Sequence, residues 1–261
     1  MRNDMISGLF GAMTCEYRMN IIANNLANAH TTGFKQEKLA FEDVFVSYAH
    51  DEIRQPVLSV REKELFPEAV NLAQVRLAGT KTDFSQGSFK NSENPLDVAI
   101  SGPGFFKLQT DDGLLYTRNG NFHLTADGTL VNADGFEVQG DGGAIVLPPN
   151  TRVDINESGQ IFADGALTAQ LDVVEVQDPD VALEKYGQNL YRPREEGAVV
   201  EQEAQQSTVN QGFLEAANIN IIEEMVNMIE TQRAFEAYSK VMSNSNDTCL
   251  KSIAKVGKST S

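Results

Sequence analysis

The chain has 261 residues, 41% of them hydrophobic and 22% charged, with a formal net charge of −16 at pH 7. This acidity excludes nucleic acid as an expected partner, because phosphate contacts require clustered Lys and Arg side chains. No apolar run reaches the length of a membrane-spanning helix, so the chain is not expected to span a membrane.

The first segment, residues 1–46, is predicted to contain an amphipathic helix over about residues 6–28. Its apolar residues recur at steps of three and four, which is the spacing of one helical face. They are Ile6, Leu9, Phe10, Met13, Tyr17 and Ile21. Gly33 is predicted to end the helix, since glycine readily takes the left-handed conformation that closes one. The segment lacks a continuous apolar stretch with a small-residue cleavage site, so no cleaved secretory signal is expected.

The middle of the chain is predicted to be a connector followed by a β-domain. Residues 47–83 are charged and mixed, with Pro56 and Pro67 as breakers, and are assigned no structure. Residues 84–204 alternate short strand-forming stretches with turn dipeptides, which are strong hairpin signals and predict an antiparallel β-domain. The dipeptides are Asp112-Gly113, Asn119-Gly120, Asp127-Gly128, Asp134-Gly135, Ser158-Gly159 and Asp164-Gly165. Asn119-Gly120 in particular predicts a type I′ turn, in which Gly120 has a positive φ.

The last segment, residues 205–261, is predicted to hold a long helix over about residues 218–256 and a polar tail. Apolar residues there recur at an average spacing of 3.5, which is typical of a coiled-coil seam. They are Ile221, Met225, Met228, Phe235, Met242, Cys249 and Ile253. Polar residues at the intervening seam positions imply that this helix needs a partner. The sequence therefore predicts an α+β fold, in which the N- and C-terminal helices form a coiled-coil-like domain with an inserted antiparallel β-domain. If both helices leave the β-domain on the same side, they pair antiparallel within one subunit.

No catalytic, cofactor or metal site is predicted. The histidines are His30, His50 and His123, and none stands in a catalytic or metal-ligand pattern. There is no nucleophile elbow, P-loop or complete dinucleotide-binding glycine motif, and the Asp-Gly turns lack the spacing of a calcium loop. The chain is thus not expected to be an enzyme. Paired carboxylates carry no sequence motif, which leaves open a secreted β-rich binding or glycan-processing protein with a helical dimerisation clasp.

Three stretches resemble the flagellar rod and hook family of axial proteins. Residues 21–35 read IIANNLANAHTTGFK, and residues 97–106 read DVAISGPGFF, followed by YTRNG at 116–120. The third stretch begins with GFLE at residue 212 and includes MVNMI and QRAFE from residue 225 onwards. They occur in the family's order along the chain.

The resemblance implies a rod protein that is exported through the flagellar type III apparatus without a cleaved signal. Its partners would be copies of itself, other rod and hook proteins and the export apparatus, in the periplasm-spanning rod of the basal body. The terminal helices would line the inside of a tube and the β-domain would face outward. Within the family, the length favours a rod protein over the hook proteins, which usually carry additional outer domains. The stretch from about residue 166 to 203 and the tail after Ala237 favour the proximal F type, with the distal G type as the alternative.

The residues expected to make assembly contacts lie on the two helices. Asparagine amides can bond backbone or neighbouring amides, so those of the first helix suit polar contacts between subunits. The expected assembly residues are Ile21, Asn24, Asn25, Asn28, Ile221, Met225, Met228, Phe235 and Met242.

Overall fold

The computed structural model describes most of the chain. The described residues are 2–45, 73–110, 113–149, 151–187, 189–194, 200–204 and 207–258. An N-terminal helix is followed by a β-rich middle part and a C-terminal helix, so the predicted α+β class is confirmed. The predicted connector lies outside the described residues over 47–72.

Along the chain, nineteen described strands and one short helix lie between two long terminal helices. The helices are α1 (Arg2–Ala27), α2 (Pro179–Ala182) and α3 (Ile221–Lys258). The strands are β1 (Glu37–Phe45), β2 (Ala73–Thr82), β3 (Phe89–Asn91), β4 (Val98–Ser101), β5 (Phe105–Thr110), β6 (Gly113–Thr117), β7 (Phe122–Leu124), β8 (Leu130–Asn132), β9 (Glu137–Gly140), β10 (Gly143–Ala144), β11 (Val153–Ile155), β12 (Gln160–Ala163), β13 (Ala166–Gln170), β14 (Val173–Val176), β15 (Leu183–Gly187), β16 (Leu190–Pro193), β17 (Glu201–Glu203), β18 (Thr208–Gln211) and β19 (Phe213–Glu215). No described helix is long and apolar enough to cross a membrane.

The helices α1 and α3 pack against each other in antiparallel fashion. A Cβ atom built on Gly8 would lie 3.1 Å from Met242 Cγ, and one on Gly11 would lie 2.6 Å from Tyr238 Cε1. Moving three residues forward along α1 therefore moves the contact four residues backward along α3. The prediction of antiparallel pairing within one chain is confirmed. The contact is made where α1 carries glycines, because a larger residue would strike the α3 side chains.

The end of α1 is set by local hydrogen bonds. Asn28 donates both its backbone amide, at 3.1 Å, and its side-chain Nδ2, at 2.9 Å, to the carbonyl of Asn24 in the last turn. The chain then turns, and Gly33 has the predicted left-handed conformation with a φ of 68°. Its predicted role of ending the helix is wrong, because α1 already ends at Ala27 and the Gly33 amide bonds the carbonyl of Glu215 instead.

The largest sheet of the β-domain is organised around β5. This strand pairs with β6 along one edge and with β9 and β14 along the other, and all of these pairs are antiparallel. The antiparallel β-domain is thereby confirmed. Its main core consists of apolar side chains from most of the strands, which alternate inward along each strand. They are Val98, Ile100, Phe106, Leu108, Leu115, Phe122, Leu130, Val138, Ile145, Leu147, Val153, Ile161, Leu171, Leu190 and Val209.

Several predicted hairpin turns are present. Asp164 and Gly165 have φ values of 50° and 83° and join β12 to β13, where Ala163 pairs with Ala166. Positive φ at both central residues is the mark of a type I′ turn, which matches the right-handed twist of the strands.

The prediction of a type I′ turn at Asn119-Gly120 is wrong. Gly120 does not have a positive φ, and β6 and β7 on either side of it are not paired with each other. A Cβ atom at Gly120 would instead lie 1.7 Å from the carbonyl oxygen of Val98, whose amide donates to Gly120 O at 3.0 Å. Glycine is needed here because another backbone passes directly over it.

The strand boundaries differ from the predicted segments at both ends of the β-domain. β1 lies within predicted residues 1–46, and β2 within predicted residues 47–83; the two strands pair, and residues Lys38–Lys81 form a compact unit of their own. The β-domain was predicted to end at residue 204, but two strands beyond it, β18 and β19, pair with β4 and β3. Sequence pattern missed these strands because their pairing partners lie far away along the chain.

Replacing Gly120 with Ala should destabilise the chain by about 1–3 kcal/mol, because the new methyl group overlaps the Val98 carbonyl. Urea unfolding of the full chain measures the change. Gly142→Ala is the matched control, since a Cβ atom there meets nothing within 4 Å. The control should remain within about 0.5 kcal/mol of the original chain. Equal stability of the two variants would contradict the close-approach explanation.

Candidate functional site

A buried ion pair lies where the terminal helices meet the β-domain. Lys35 Nζ is 2.6 Å from Glu215 Oε1, and neither side chain is exposed. The same ammonium donates to the carbonyl of Ser85 at 2.7 Å, and Glu215 Oε1 also accepts the amide of Gly87 at 2.8 Å. The amide of Gly33 donates to the backbone carbonyl of Glu215 at 2.8 Å. Three distant parts of the chain are therefore joined at one carboxylate.

A second cation lies near this pair. Arg118 Nη1 donates to the carbonyl of Gly102 at 2.9 Å and is 3.7 Å from Glu215 Oε2. Its guanidinium carbon lies 5.1 Å from the ring centroid of Phe105, within the range of a cation–π interaction. Burial lowers the pKa of Lys35 and that of Arg118, and in both cases the Glu215 carboxylate opposes the shift. Glu215 is thus the anion on which both buried cations depend.

A layer of amides continues from the ion pair to the first turn of α3. Asn25 donates to the carbonyl of Glu37 at 2.9 Å and accepts the Glu37 amide at 3.1 Å, so it ties Glu37 to α1. Asn25 Nδ2 also donates to Glu224 Oε2 at 3.4 Å, while Gln36 Nε2 donates to Glu224 Oε1 at 2.9 Å. Glu224 is buried in the first turn of α3, where the helix dipole favours a negative charge.

Asn218 closes this layer. Its Oδ1 accepts the amide of Gln36 at 2.8 Å, and its Nδ2 donates to the carbonyl of Asp83 at 2.8 Å. The Asp83 amide in turn donates to the carbonyl of Gln36 at 2.8 Å. We refer to the connected groups as the polar junction. The polar junction consists of Asn25, Lys35, Gln36, Arg118, Glu215, Asn218 and Glu224.

Large apolar side chains on α1 are exposed beyond the polar junction. They form what we term the α1 stripe, which consists of Leu9, Phe10, Met13 and Tyr17. Their exposed fractions lie between 43% and 57%, whereas Ala12 and Ile22 on the other side of the helix are buried. The face that periodicity predicted thus points away from α3.

The first turns of α3 carry a second exposed apolar surface. We term it the α3 patch, and it consists of Ile222, Met225, Val226 and Ile229. Their exposed fractions lie between 50% and 76%. The surface ends at Arg233, an exposed charged residue on the same side of α3. Contiguous exposed apolar surfaces of this kind mark interaction sites.

The structure distributes the predicted assembly residues over three environments. Asn25 is buried in the polar junction, and Met242 lies against Gly8 of α1. Asn24 and Met225 are exposed. The remaining predicted residues are half-buried, and they are Ile21, Asn28, Ile221, Met228 and Phe235. Their contacts with other subunits stay a prediction.

Sequence reasoning did not identify the ion pair. Lys35 and Glu215 both stand in the stretches that carried the family resemblance, but they are 180 residues apart. No local spacing links two such residues. One signal could have indicated the pair. Each stretch has a charged residue directly after a large apolar one, Lys35 after Phe34 and Glu215 after Leu214, and the two charges are opposite.

Comparison with known proteins gives three family matches in chain order. Residues 11–35 match the family described as Flagella basal body rod protein. Residues 99–163 match Flagellar hook protein FlgE/F/G D1 domain, and residues 210–253 match Flagellar basal body rod FlgEFG protein C-terminal. The first and last matches contain the two partners of the buried ion pair.

Curated relatives match over almost the whole chain. The flagellar basal-body rod protein FlgG of Buchnera aphidicola subsp. Acyrthosiphon pisum is 34% identical over 90% of this chain and 93% of its own length. FlgG of Bacillus subtilis is 30% identical over 95% of this chain and 96% of its own. The flagellar basal-body rod protein FlgF of Caulobacter vibrioides is 32% identical over 99% of both chains.

Replacing Lys35 with Met should reduce the free energy of unfolding by about 3–5 kcal/mol, because the Glu215 carboxylate loses its ammonium partner while remaining buried. Adding Glu215→Gln to that variant should restore part of the loss, since the unpaired charge is removed. Urea unfolding of the full chain measures both changes.

Arg152→Met is the control for this prediction. Arg152 pairs with Asp154 on the surface, with side chains 82% and 51% exposed. Exposed pairs contribute little, so this variant should differ from the original chain by less than about 1 kcal/mol. A Lys35 variant as stable as the Arg152 variant would show that the buried pair does not hold the fold together.

Proposed function

This chain belongs to the flagellar basal-body rod family, and from that premise we propose that it polymerises through its terminal helices into the axial shaft of the rod. The family is structural and its members are not enzymes, so the glycan-processing alternative is wrong. Membership also assigns the chain to the bacterial flagellum.

The observation that carries the proposal is the placement of apolar surface on both helices. The α1 stripe and the α3 patch are exposed in a single chain although each contains four large apolar residues. Covering such surfaces with neighbouring subunits removes apolar area from water, which is the main favourable term in association. A helix pair of this kind gains stability when it is surrounded by further copies of itself.

This placement supports different roles for the terminal helices and the β-domain. The two terminal helices act as a coiled-coil-like domain that lines the tube, and the β-domain faces outward. The predicted assembly residues take part from both helices, with Asn24 and Met225 at contacts between subunits. The role of Asn25 in this scheme is to fix α1 to Glu37 and to the first turn of α3, because its bonds reach Glu37 and Glu224 of the same chain.

The proposed partners and location extend the family assignment. The rod would contain copies of this chain next to other rod and hook proteins, and it would span the periplasm. Export would proceed through the flagellar type III apparatus without a cleaved signal.

Within the rod, we favour the proximal F type. The FlgF relative matches nearly the full length of both chains, which supports this choice. FlgG relatives of similar identity support the distal G type as the alternative. Electron microscopy of basal bodies from a deletion strain separates the two. Loss of a proximal subunit should remove the distal rod as well, whereas loss of a distal subunit should leave a shorter rod.

Replacing Met228 or Phe235 with Asp should abolish motility and prevent a complete rod. Each substitution places a charge on a half-buried helix position at a cost of about 1–3 kcal/mol or more, while the β-domain keeps its own core. Motility assays and electron microscopy report assembly, and circular dichroism of the purified chain reports folding.

The control for these variants is Leu167→Asp. Leu167 is an exposed apolar residue of the β-domain, in β13. It receives the same chemical change outside the helices, and motility should persist. Normal motility in both helix variants would refute assembly through the terminal helices.

A further inference from the structure

We propose that the α1 stripe of one copy packs directly against the α3 patch of the next copy. The inference rests on the proposed function, and it specifies which surface of each helix meets which. The contact is heterologous, because the two surfaces differ. Heterologous contacts repeat in one direction and form rings or helical filaments, whereas a twofold contact stops at a dimer.

The two surfaces lie on opposite sides of the helix pair. With 3.6 residues per turn, the α1 stripe is centred about 180° around α1 from the glycines that face α3. On α3, the α3 patch is similarly opposite to Tyr238 and Met242, which face α1. Each copy therefore offers one apolar surface outward from α1 and another outward from α3, so that a row of copies can use both at once.

The residue spacing of the two surfaces is complementary when the helices run antiparallel. Along α1 the exposed residues Phe10, Met13 and Tyr17 are separated by steps of three and then four. Reading α3 backwards from its last patch residue, the exposed positions follow the same steps. These positions are Ile229, Val226 and Ile222. Phe10 then lies opposite Ile229, Met13 opposite Val226, and Tyr17 opposite Ile222.

This alignment differs from the one within a single chain. Inside the chain, Gly11 lies opposite Tyr238. In the proposed contact, the same part of α1 lies opposite residues of the neighbouring α3 that are about ten positions closer to the start of that helix. At 1.5 Å per residue, each added copy would be displaced by about 16 Å along the helices. The charged residue Arg233 ends the α3 patch and limits sliding beyond it.

The charge distribution indicates that the occupant of the α3 patch is another copy, approaching by its helices. Residues 1–37 contain three acidic and three basic residues, and residues 216–261 contain five of each. Residues 84–215 contain 21 acidic and 7 basic residues, a net charge of −14. Approach of two copies through their β-domains is opposed by repulsion between like charges, whereas the neutral helices meet without it.

Paired cysteines test the contact in assembled rods. The full chain carries Cys15→Ala and Cys249→Ala, to which Met13→Cys and Val226→Cys are added. The variant is expressed in a strain that lacks the original chain. Motility reports assembly, and mild oxidation of isolated basal bodies followed by non-reducing electrophoresis reports crosslinks. We expect dimers and longer ladders, because a disulfide needs Cα atoms within about 7 Å.

The matched control combines Met13→Cys with Arg233→Cys. Arg233 is exposed on the same side of α3 as the α3 patch but is about 10 Å further along the helix. It should give at least about tenfold less crosslinked product, since its Cα atom lies beyond disulfide reach. Rods that assemble without Met13–Val226 crosslinks, or with equal crosslinking in the control, would overturn this contact and leave the proposed function standing.

A charge pair provides a second arm that does not depend on disulfide formation. Met13→Glu and Val226→Arg should each abolish motility, and the double variant should restore it, because the two new charges face each other across the contact. Failure of the double variant to improve on either single variant overturns the inference. Full motility of both single variants would instead count against assembly through these helices at all. Circular dichroism should show native helix content throughout, since both positions are exposed.

Discussion

The buried contact between Lys35 and Glu215 is the interaction on which the rest of the architecture depends. It joins the segment that follows α1 to the segment that precedes α3, although the two residues are 180 positions apart. Both side chains are fully buried, so each charge is stable only while the other is present. Since the chain segments on either side of this pair are fixed together, the two helices must leave the β-domain side by side and can pair antiparallel.

That arrangement decides which residues of α1 face inward. The helices approach closely at Gly8 and Gly11, where a Cβ atom would strike Met242 or Tyr238. Small residues are thereby used within the chain, and the large apolar residues of the α1 stripe remain on the outer side. In an isolated protein this would be an unfavourable use of apolar surface. It becomes favourable in a protein whose neighbours are copies of itself, as proposed for this one.

Local patterns predicted the parts of the fold that depend on local chemistry. Helical periodicity located α1 and α3, and Asp164-Gly165 predicted a hairpin turn, which the structure forms with positive φ at both residues. Periodicity could not tell which way the apolar face of α1 points, since that depends on α3. The requirement for glycine at position 120 was attributed to a turn, whereas it comes from the close approach of the Val98 backbone, which is distant in sequence. The polar junction was missed for the same reason, as it is made almost entirely of long-range hydrogen bonds.

The chemistry of the polar junction suits the work of a shaft subunit. An apolar contact between helices and β-domain would resist separation but would allow sliding and rotation, since dispersion and burial are non-directional. Hydrogen bonds and close ion pairs fix both distance and angle. At the junction, Asn25 and Asn218 bond backbone groups of other segments, so a rotation of the helix pair must break several bonds together. In the proposed assembly, apolar surface serves addition of subunits, where some adjustment is tolerable, and polar contacts hold the helix pair and the β-domain at a fixed distance and angle.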